Sequence, residues 1–281
     1  MLGLIVLFCT VGYMLGGQIG MFTAFFIASL MNLGSYWFSD KIVLKMYKAK
    51  EVTELENSRL YRIVKSIATK SLMPMPKVYI VPSKAPNAFA TGRNEEHAAV
   101  AATEGILEIL NDAELEGVIG HELAHIKHKD MLIGTIAATF AGAIGILASM
   151  ARWGAIFGGY SRDNDRGGIV GLLVGAFIAP LVALVIQTSI SRQREFKADA
   201  EGASMTGRYN ELASALKKLH SAPIQMNLDN SPATAHLMIA NPFSKKKLHS
   251  IFSTHPPVEE RIKRLQELSK ESSYQGYATI G

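Results

Sequence analysis

Two runs of the chain, Met131 to Met150 and Ile169 to Ile190, carry no charged side chain. Twenty helical residues rise about 30 Å, the thickness of a bilayer's hydrocarbon core, so each run is long enough to cross a membrane. A buried core helix would explain one such run, but two of them in a chain of 281 residues favour spanning. Two successive spans return the chain to the side it left. The residues before Met131 and those after Ile190 are therefore expected at one membrane surface.

The stretch before Met131 holds a metal-binding pattern. His121 and His125 stand four apart, so on an α-helix their imidazoles share a face and can hold one ion. Glu122 lies at the edge of that face, placed to activate a water at the ion. This is the HExxH pattern of zinc-dependent proteases, whose chemistry is metal-assisted hydrolysis. An amphipathic helix that happens to carry two histidines would read the same, so a third ligand is needed. After Ile190, Glu195 and Asp199 are again four apart. Glu195 can supply the third ligand oxygen, and Asp199 can accept the free N–H of a ligating imidazole. Taken alone, exposed pairing with Arg192 or Arg194 accounts for these acids equally well; the return of the chain to one surface favours the ligand reading. His128 is a rival ligand on the face of His121, but seven residues rise about 10 Å, too far for both rings to reach one ion. The metzincin extension is also absent, since it needs Gly and His where His128 and Met131 stand.

The rest of the chain fits around these elements. Leu2 to about Gly16 and Met21 to Phe38 are apolar, with Gly16-Gly17-Gln18 as a turn between them, and read as a membrane hairpin, not a cleaved signal. Asn32 within it reads as a helix-to-helix contact with no functional role. The single cysteine, Cys9, lies in the first apolar run, so any zinc is held by His and carboxylate. A net charge of +5 could suggest nucleic acid, yet the basic residues flank apolar segments without interleaved aromatics, so no nucleic-acid partner is expected. Lys41, Lys45, Lys48, Lys50, Lys127, Lys129, Arg192, Arg194 and Lys197 gather on the side of the metal helix, against Arg152, Arg162 and Arg166 in the far link. The metal helix should face the cytoplasm.

A soluble segment begins after Asp40. Glu54 to Ser71 reads as a helix with Leu55, Leu60, Ile63, Val64 and Ile67 near one stripe. Lys77–Val81, Asn87–Thr91 and His97–Thr103 read as three short strands of a small sheet. Asp112 to Leu115 supplies a cap and an acidic first turn for the metal helix. Leu212–Leu219 reads as a core-packing helix, residues 221–254 as lid or loop, Val258–Leu268 as a last helix, and the tail after Ser272 as patternless.

Asn87-Ala88-Phe89-Ala90-Thr91-Gly92-Arg93-Asn94, His121 to His125, Ser191 to Asp199, Ala240-Asn241-Pro242 and Ser253 to Arg261 together resemble the HtpX family of bacterial membrane zinc metalloproteases, distant relatives of the CAAX-prenyl proteases. The resemblance runs in order along nearly the whole chain. It implies a mainly α membrane protein of about four transmembrane helices with a cytoplasmic gluzincin-like α+β protease domain and a small β-sheet. The divisions are 1–38 (N-terminal hairpin), 39–130 (the protease segment that carries HExxH), 131–190 (second hairpin) and 191–281 (the protease segment that carries the third ligand). It implies one zinc ion per subunit on His121, His125 and Glu195, and quality control of membrane proteins at the cytoplasmic face of the bacterial inner membrane. Glu122 would be the base. Asn87, Ala88, Phe89, Ala90 and Thr91 would pair with the substrate backbone, although an ordinary sheet strand reads alike. His255, held before Pro256-Pro257, would either stabilise the oxyanion or plug the open zinc position, with a plain helix cap as the alternative. Expected partners are polypeptides, chiefly membrane proteins, and the lipid bilayer; homo-oligomerisation stays open.

Three other readings share some features. A scaffold with a structural zinc would want four ligands, usually with cysteines, and has no use for Glu122. A prenyl-protease-like peptidase of narrower specificity keeps the same site. A transporter would need more ionisable residues inside the spans.

Overall fold

The computed structural model describes residues 2–56, 58–130, 192–222 and 256–278. The chain divides into two units; of the first, residues 2–37 are described, and the second begins at Phe38. The apolar runs Met131–Met150 and Ile169–Ile190 lie outside the described residues.

Helix α1 (Leu2–Met46) is interrupted where the glycines predict a turn: Gly16 has φ −144° and Gly17 has φ 58°, ψ −143°. Gly17 takes a conformation that an L side chain resists. The arms on either side of the turn touch, because a Cβ on Gly12 would stand 2.4 Å from the Gly20 carbonyl oxygen. Gly16–Phe38, 23 residues with mean hydropathy 1.4, is long and apolar enough to cross a membrane, and it is the one such helix among the described residues. Its large side chains, Ile19, Phe22, Phe26 and Leu33 among them, are exposed as a lipid-facing surface would be.

The second unit is built on a four-stranded mixed sheet in the order β1-β2-β4-β3, comprising β1 (Lys50–Val52), β2 (Lys77–Val81), β3 (Ala88–Gly92) and β4 (Ala98–Thr103). β2 and β4 run parallel; β1 and β3 are antiparallel to their neighbours. Three strands match the expected runs. β1 has no signal in the sequence, because three residues show no period; pairing with β2 makes it a strand.

Side chains alternate between the two faces of the sheet. Val78, Ala88, Ala90, Ala98, Val100 and Ala102 join the main core, whereas Val81, Phe89, Ala99 and Ala101 pack against Val43 and Leu44 from the end of α1. The helices α2 (Arg59–Lys70), α3 (Glu104–Ile109), α4 (Asp112–Lys127), α5 (Arg192–Thr206), α6 (Tyr209–Ser221) and α7 (Val258–Ala278) complete the unit.

The expected helix from Glu54 starts later. Residues Glu54–Glu56 form one 3-10 turn, and α2 begins only after Ser58, whose side chain accepts from the Tyr61 N–H. Leu55 therefore leaves the stripe and is 96% exposed. The cap of α4 also moves by one: Asn111, not Asp112, caps it in a reciprocal box with Glu114. Helix α6 buries Leu212, Leu216 and Leu219 as expected. The tail after Ser272 is helical to Ala278, an extension of α7 whose uncharged sequence carries little apolar period.

Candidate metal centre

Helices α4 and α5 cross at two glycines. A Cβ on Gly202 would lie 2.5 Å from the His121 nitrogen, and one on Gly120 would lie 2.7 Å from the Gly202 carbonyl oxygen. Glycine at both positions lets the backbones touch. The two residue pairs spaced four apart, one on each helix, then face each other.

His121, His125 and Glu195 each offer a ligand atom, and these atoms lie within 4.8 Å of one another. The two Nε2 atoms are 3.1 Å apart; His121 Nε2 is 3.7 Å from Glu195 Oε2, and His125 Nε2 is 3.5 Å from Glu195 Oε1. Tetrahedral ligands about 2.0–2.1 Å from zinc stand about 3.3 Å from one another, so the two ring nitrogens and the Glu195 carboxylate are spaced to share such an ion. Charge gives a second test. Glu122, Glu195 and Asp199 are 6%, 6% and 3% exposed, and Arg261 is 1% exposed. Among the described residues these carboxylates outnumber the one buried guanidinium, an excess of negative charge of the sign that a divalent cation answers. The donor set and the charge both fit zinc.

Asp199 Oδ1 stands 2.9 Å from His121 Nδ1. The same carboxylate accepts two hydrogen bonds from Arg261, Nε at 2.8 Å and Nη2 at 2.7 Å. Burial would push the Asp199 carboxyl up, but the Arg261 charge and hydrogen bonds and the His121 ring prevail and hold it at about 2. Burial would likewise lower the His125 imidazolium. The Asp130 hydrogen bond and the charges of Glu195 and Glu122 outweigh it, and the metal-free ring sits at about 9.

Glu122 reaches the other wall. Its Oε2 accepts from the Ala90 N–H at 3.0 Å. Among the described residues β3 is an edge strand, and Thr103 N–H donates to the Asn87 carbonyl at 2.9 Å, so the backbone groups of residues 87, 89 and 91 face β4. Those of Ala88, Ala90 and Gly92 face away from it, and Ala90 is the point where that outer side meets Glu122.

The structure thus brings together His121, Glu122, His125, Glu195 and Asp199, with Asn87 to Thr91 alongside. His255 lies outside the described residues. His128 is turned away and pairs through Nε2 with Glu201. Arg261 carries no signal in the sequence beyond the resemblance, because an arginine in Val258-Glu259-Glu260-Arg261 looks like a surface charge; only packing buries it. Asp130 is equally silent. Gly120 and Gly202, each one position from a residue in contact across the crossing, offer at most a small-residue signal.

Peptidase family M48 matches residues 54–269. The chain belongs to this family. A protease HtpX homolog of Desulfatibacillum aliphaticivorans is 55% identical over 257 residues, 91% of this chain and 83% of that protein. One from Pyrococcus furiosus is 52% identical over 275 residues, 96% of this chain and 95% of that one. The crystal structure of S. mikatae Ste24p has the same fold, with TM-score 0.58 and 17% identity over 94% of this chain; the chain spans 62% of that protein's length. M48 peptidases of the HtpX type are membrane-associated metalloproteases that depend on zinc, and the His-His-Glu cluster is the M48 chain's candidate for holding it.

Proposed function

We propose that this M48 peptidase is a zinc-dependent endopeptidase that cleaves misfolded or damaged membrane proteins at the cytoplasmic face of the cytoplasmic membrane. Its hairpins 1–38 and 131–190 supply about four membrane spans, and the segments 39–130 and 191–281 form the protease domain. The clustering of basic residues around Lys41–Lys50 and Arg192–Lys197 supports the orientation. His121, His125 and Glu195 hold the zinc. The spacing of their three ligand atoms carries the reading.

When bound, zinc lowers the pKa of a water and polarises the scissile carbonyl. Glu122, fixed by the Ala90 N–H, takes the water's proton and passes it to the leaving amine. Asp199 Oδ1, 2.9 Å from His121 Nδ1, favours the ring proton on that nitrogen, which leaves Nε2 as the lone-pair nitrogen facing Glu195. Arg261 keeps Asp199 ionised. An extended substrate pairs with the outward backbone groups of Ala88 and Gly92 and with the Ala90 carbonyl, beside Glu122. Pairing through the backbone reads little side-chain identity, so specificity is broad.

His255 precedes Pro256 and Pro257, and α7 begins at Val258 and carries Arg261 to 3.8 Å from Glu195. His255 stands six residues before Arg261 in the chain, which supports a role in stabilising the oxyanion or in plugging the open zinc position.

The test is degradation of a membrane-protein substrate by the purified full-length protein, with and without zinc, together with reporter fusions after Gly281 and near Gly159. Zinc-dependent cleavage, a cytoplasmic signal at Gly281 and an external one near Gly159 are expected. Zinc-independent cleavage sinks the mechanism, and reversed reporters sink the orientation.

A further inference from the structure

Behind each imidazole proposed as a ligand stands an aspartate, and behind each aspartate an arginine. The His121 side runs through Asp199 to Arg261, buried and bidentate. On the other side, His125 Nδ1 lies 3.1 Å from Asp130 Oδ2, and Asp130 Oδ1 lies 3.8 Å from an Arg194 Nη1.

Helical spacing does not put Asp130 there. Five residues along a continuing helix turn by about 140° beyond a full revolution and rise about 7.5 Å, which would carry Asp130 off the face of His125. The helix stops first. Lys127 is its last residue, His128 caps it, and Lys129 takes φ 60°, the left-handed conformation that ends many helices and that favours glycine. With a lysine there, the backbone is strained, and strain of this kind concentrates at sites where geometry matters. Its effect is to fold the chain back over the last turn and return the Asp130 carboxylate to the ring of His125. Arg194, one residue before Glu195, meets that carboxylate from α5.

We propose that Asp130 is a positioning residue for His125, steadied by Arg194, and that this relay sets how readily the centre releases its metal. The proposal rests on reading His125 as a ligand. The His121 relay is held by two short bonds from a fully buried arginine. On the His125 side the contact from Arg194 to Asp130 is longer, and the Asp130 and Arg194 side chains are 13% and 24% exposed. Loss of the Asp130 contact frees the His125 ring to turn, which is why metal release is the quantity to read.

The experiment is zinc transfer from the full-length, detergent-solubilised protein to a chromophoric chelator, for Asp130→Ala, Asp130→Asn and Arg194→Gln, with His125→Ala as control. Asp130→Ala should release zinc about 10 to 100-fold faster, as loss of such a partner does elsewhere. Asp130→Asn, which keeps an acceptor but no charge, and Arg194→Gln should fall between it and the parent. Added zinc should bring hydrolysis by all three back to within a few-fold of the parent. Release at the parent rate in both Asp130 variants overturns the proposal, as does a lower melting temperature of the metal-free protein with release unchanged. Should Asp130→Ala not fold, the near-isosteric Asp130→Asn still decides. If His125→Ala itself retains zinc, the ligand assignment has failed and not the relay alone.

Discussion

Gly202 of α5 lies against the backbone of His121 on α4, so close that a single methyl group would stand 2.5 Å from the His121 nitrogen. No side chain separates the two helices at that point. The approach carries Glu195, two turns earlier on α5, to within ligand spacing of both histidines.

Gly202→Ala should therefore push the helices apart although alanine is the better helix former by about 1 kcal/mol. Overpacking of a contact this tight costs about 1–3 kcal/mol, and the widened gap should also lower zinc content. Thermal unfolding and metal analysis on one preparation check both. A more stable variant with full zinc would mean the crossing can relax without disturbing the site.

Glu122→Gln should keep zinc and lose at least about 100-fold in hydrolysis, because the amide can still meet the Ala90 N–H only through its oxygen and cannot take a proton. Metal content and casein turnover are the readouts. Substantial turnover would remove Glu122 as the base.

Glu195→Ala should lose both zinc and activity, whereas Asp199→Ala should weaken zinc by about 10 to 100-fold. Arg261→Met should be the more damaging change to the fold. It leaves the buried Asp199 carboxylate with the His121 ring but without its cation, a loss of about 3–5 kcal/mol, whereas Asp199→Ala leaves Arg261 still 3.8 Å from Glu195. Denaturant unfolding of the three variants should rank Arg261→Met lowest. The opposite ranking would mean that Asp199 finds another partner.

The pH dependence of zinc binding follows from His125. In the metal-free protein its pKa is raised to about 9, so at neutral pH the ring carries a proton that zinc must displace. Affinity should rise about tenfold per pH unit up to about pH 9 from this group alone. For the metal-free fold the sign is opposite. The His125 contribution to stability is fully present below the ordinary histidine pKa of about 6.5 and is lost as pH rises through about 9. Chelator competition and metal-free melting curves across this range test the two limbs; zinc affinity independent of pH would exclude a protonated His125.

His255→Ala separates the readings of that residue. Slower hydrolysis with zinc retained marks stabilisation of the oxyanion, faster hydrolysis marks a plug, and an unchanged rate with a lower melting temperature leaves only a helix cap. The comparison is a steady-state rate at saturating zinc beside a melting curve.

Much of the arrangement is legible in the sequence because it is local. The spacing in His121-Glu122-Leu123-Ala124-His125 and in Glu195 to Asp199 is a helical period, and Gly16-Gly17 announces a break between two apolar runs. The strands Lys77–Val81 and Ala98–Thr103 show in β-branched and small apolar residues bounded by turn formers. Less legible is anything decided at an end or by a partner. α2 begins at Arg59 because Ser58 caps it, and Lys50–Val52 is a strand only because Val78, Tyr79 and Ile80 lie beside it.

The sequence by itself determined which residues share a helix face, since 3.6 residues per turn is a property of the backbone wherever the helix lies. It also determined that long apolar stretches interrupt the metal-binding half of the chain, since transfer from water depends on composition. Only the tertiary structure decided which faces meet. It closed α4 on α5 at Gly120 and Gly202, drew Arg261 out of a charged stretch into the core, turned Asp130 back through the left-handed Lys129, and set Ala90 against Glu122. The physical reason is the same in each case. These contacts join residues far apart in sequence or across a helix end, where no backbone period relates them, and they persist because burying a charge or a peptide N–H requires a partner, whichever stretch of the chain supplies it.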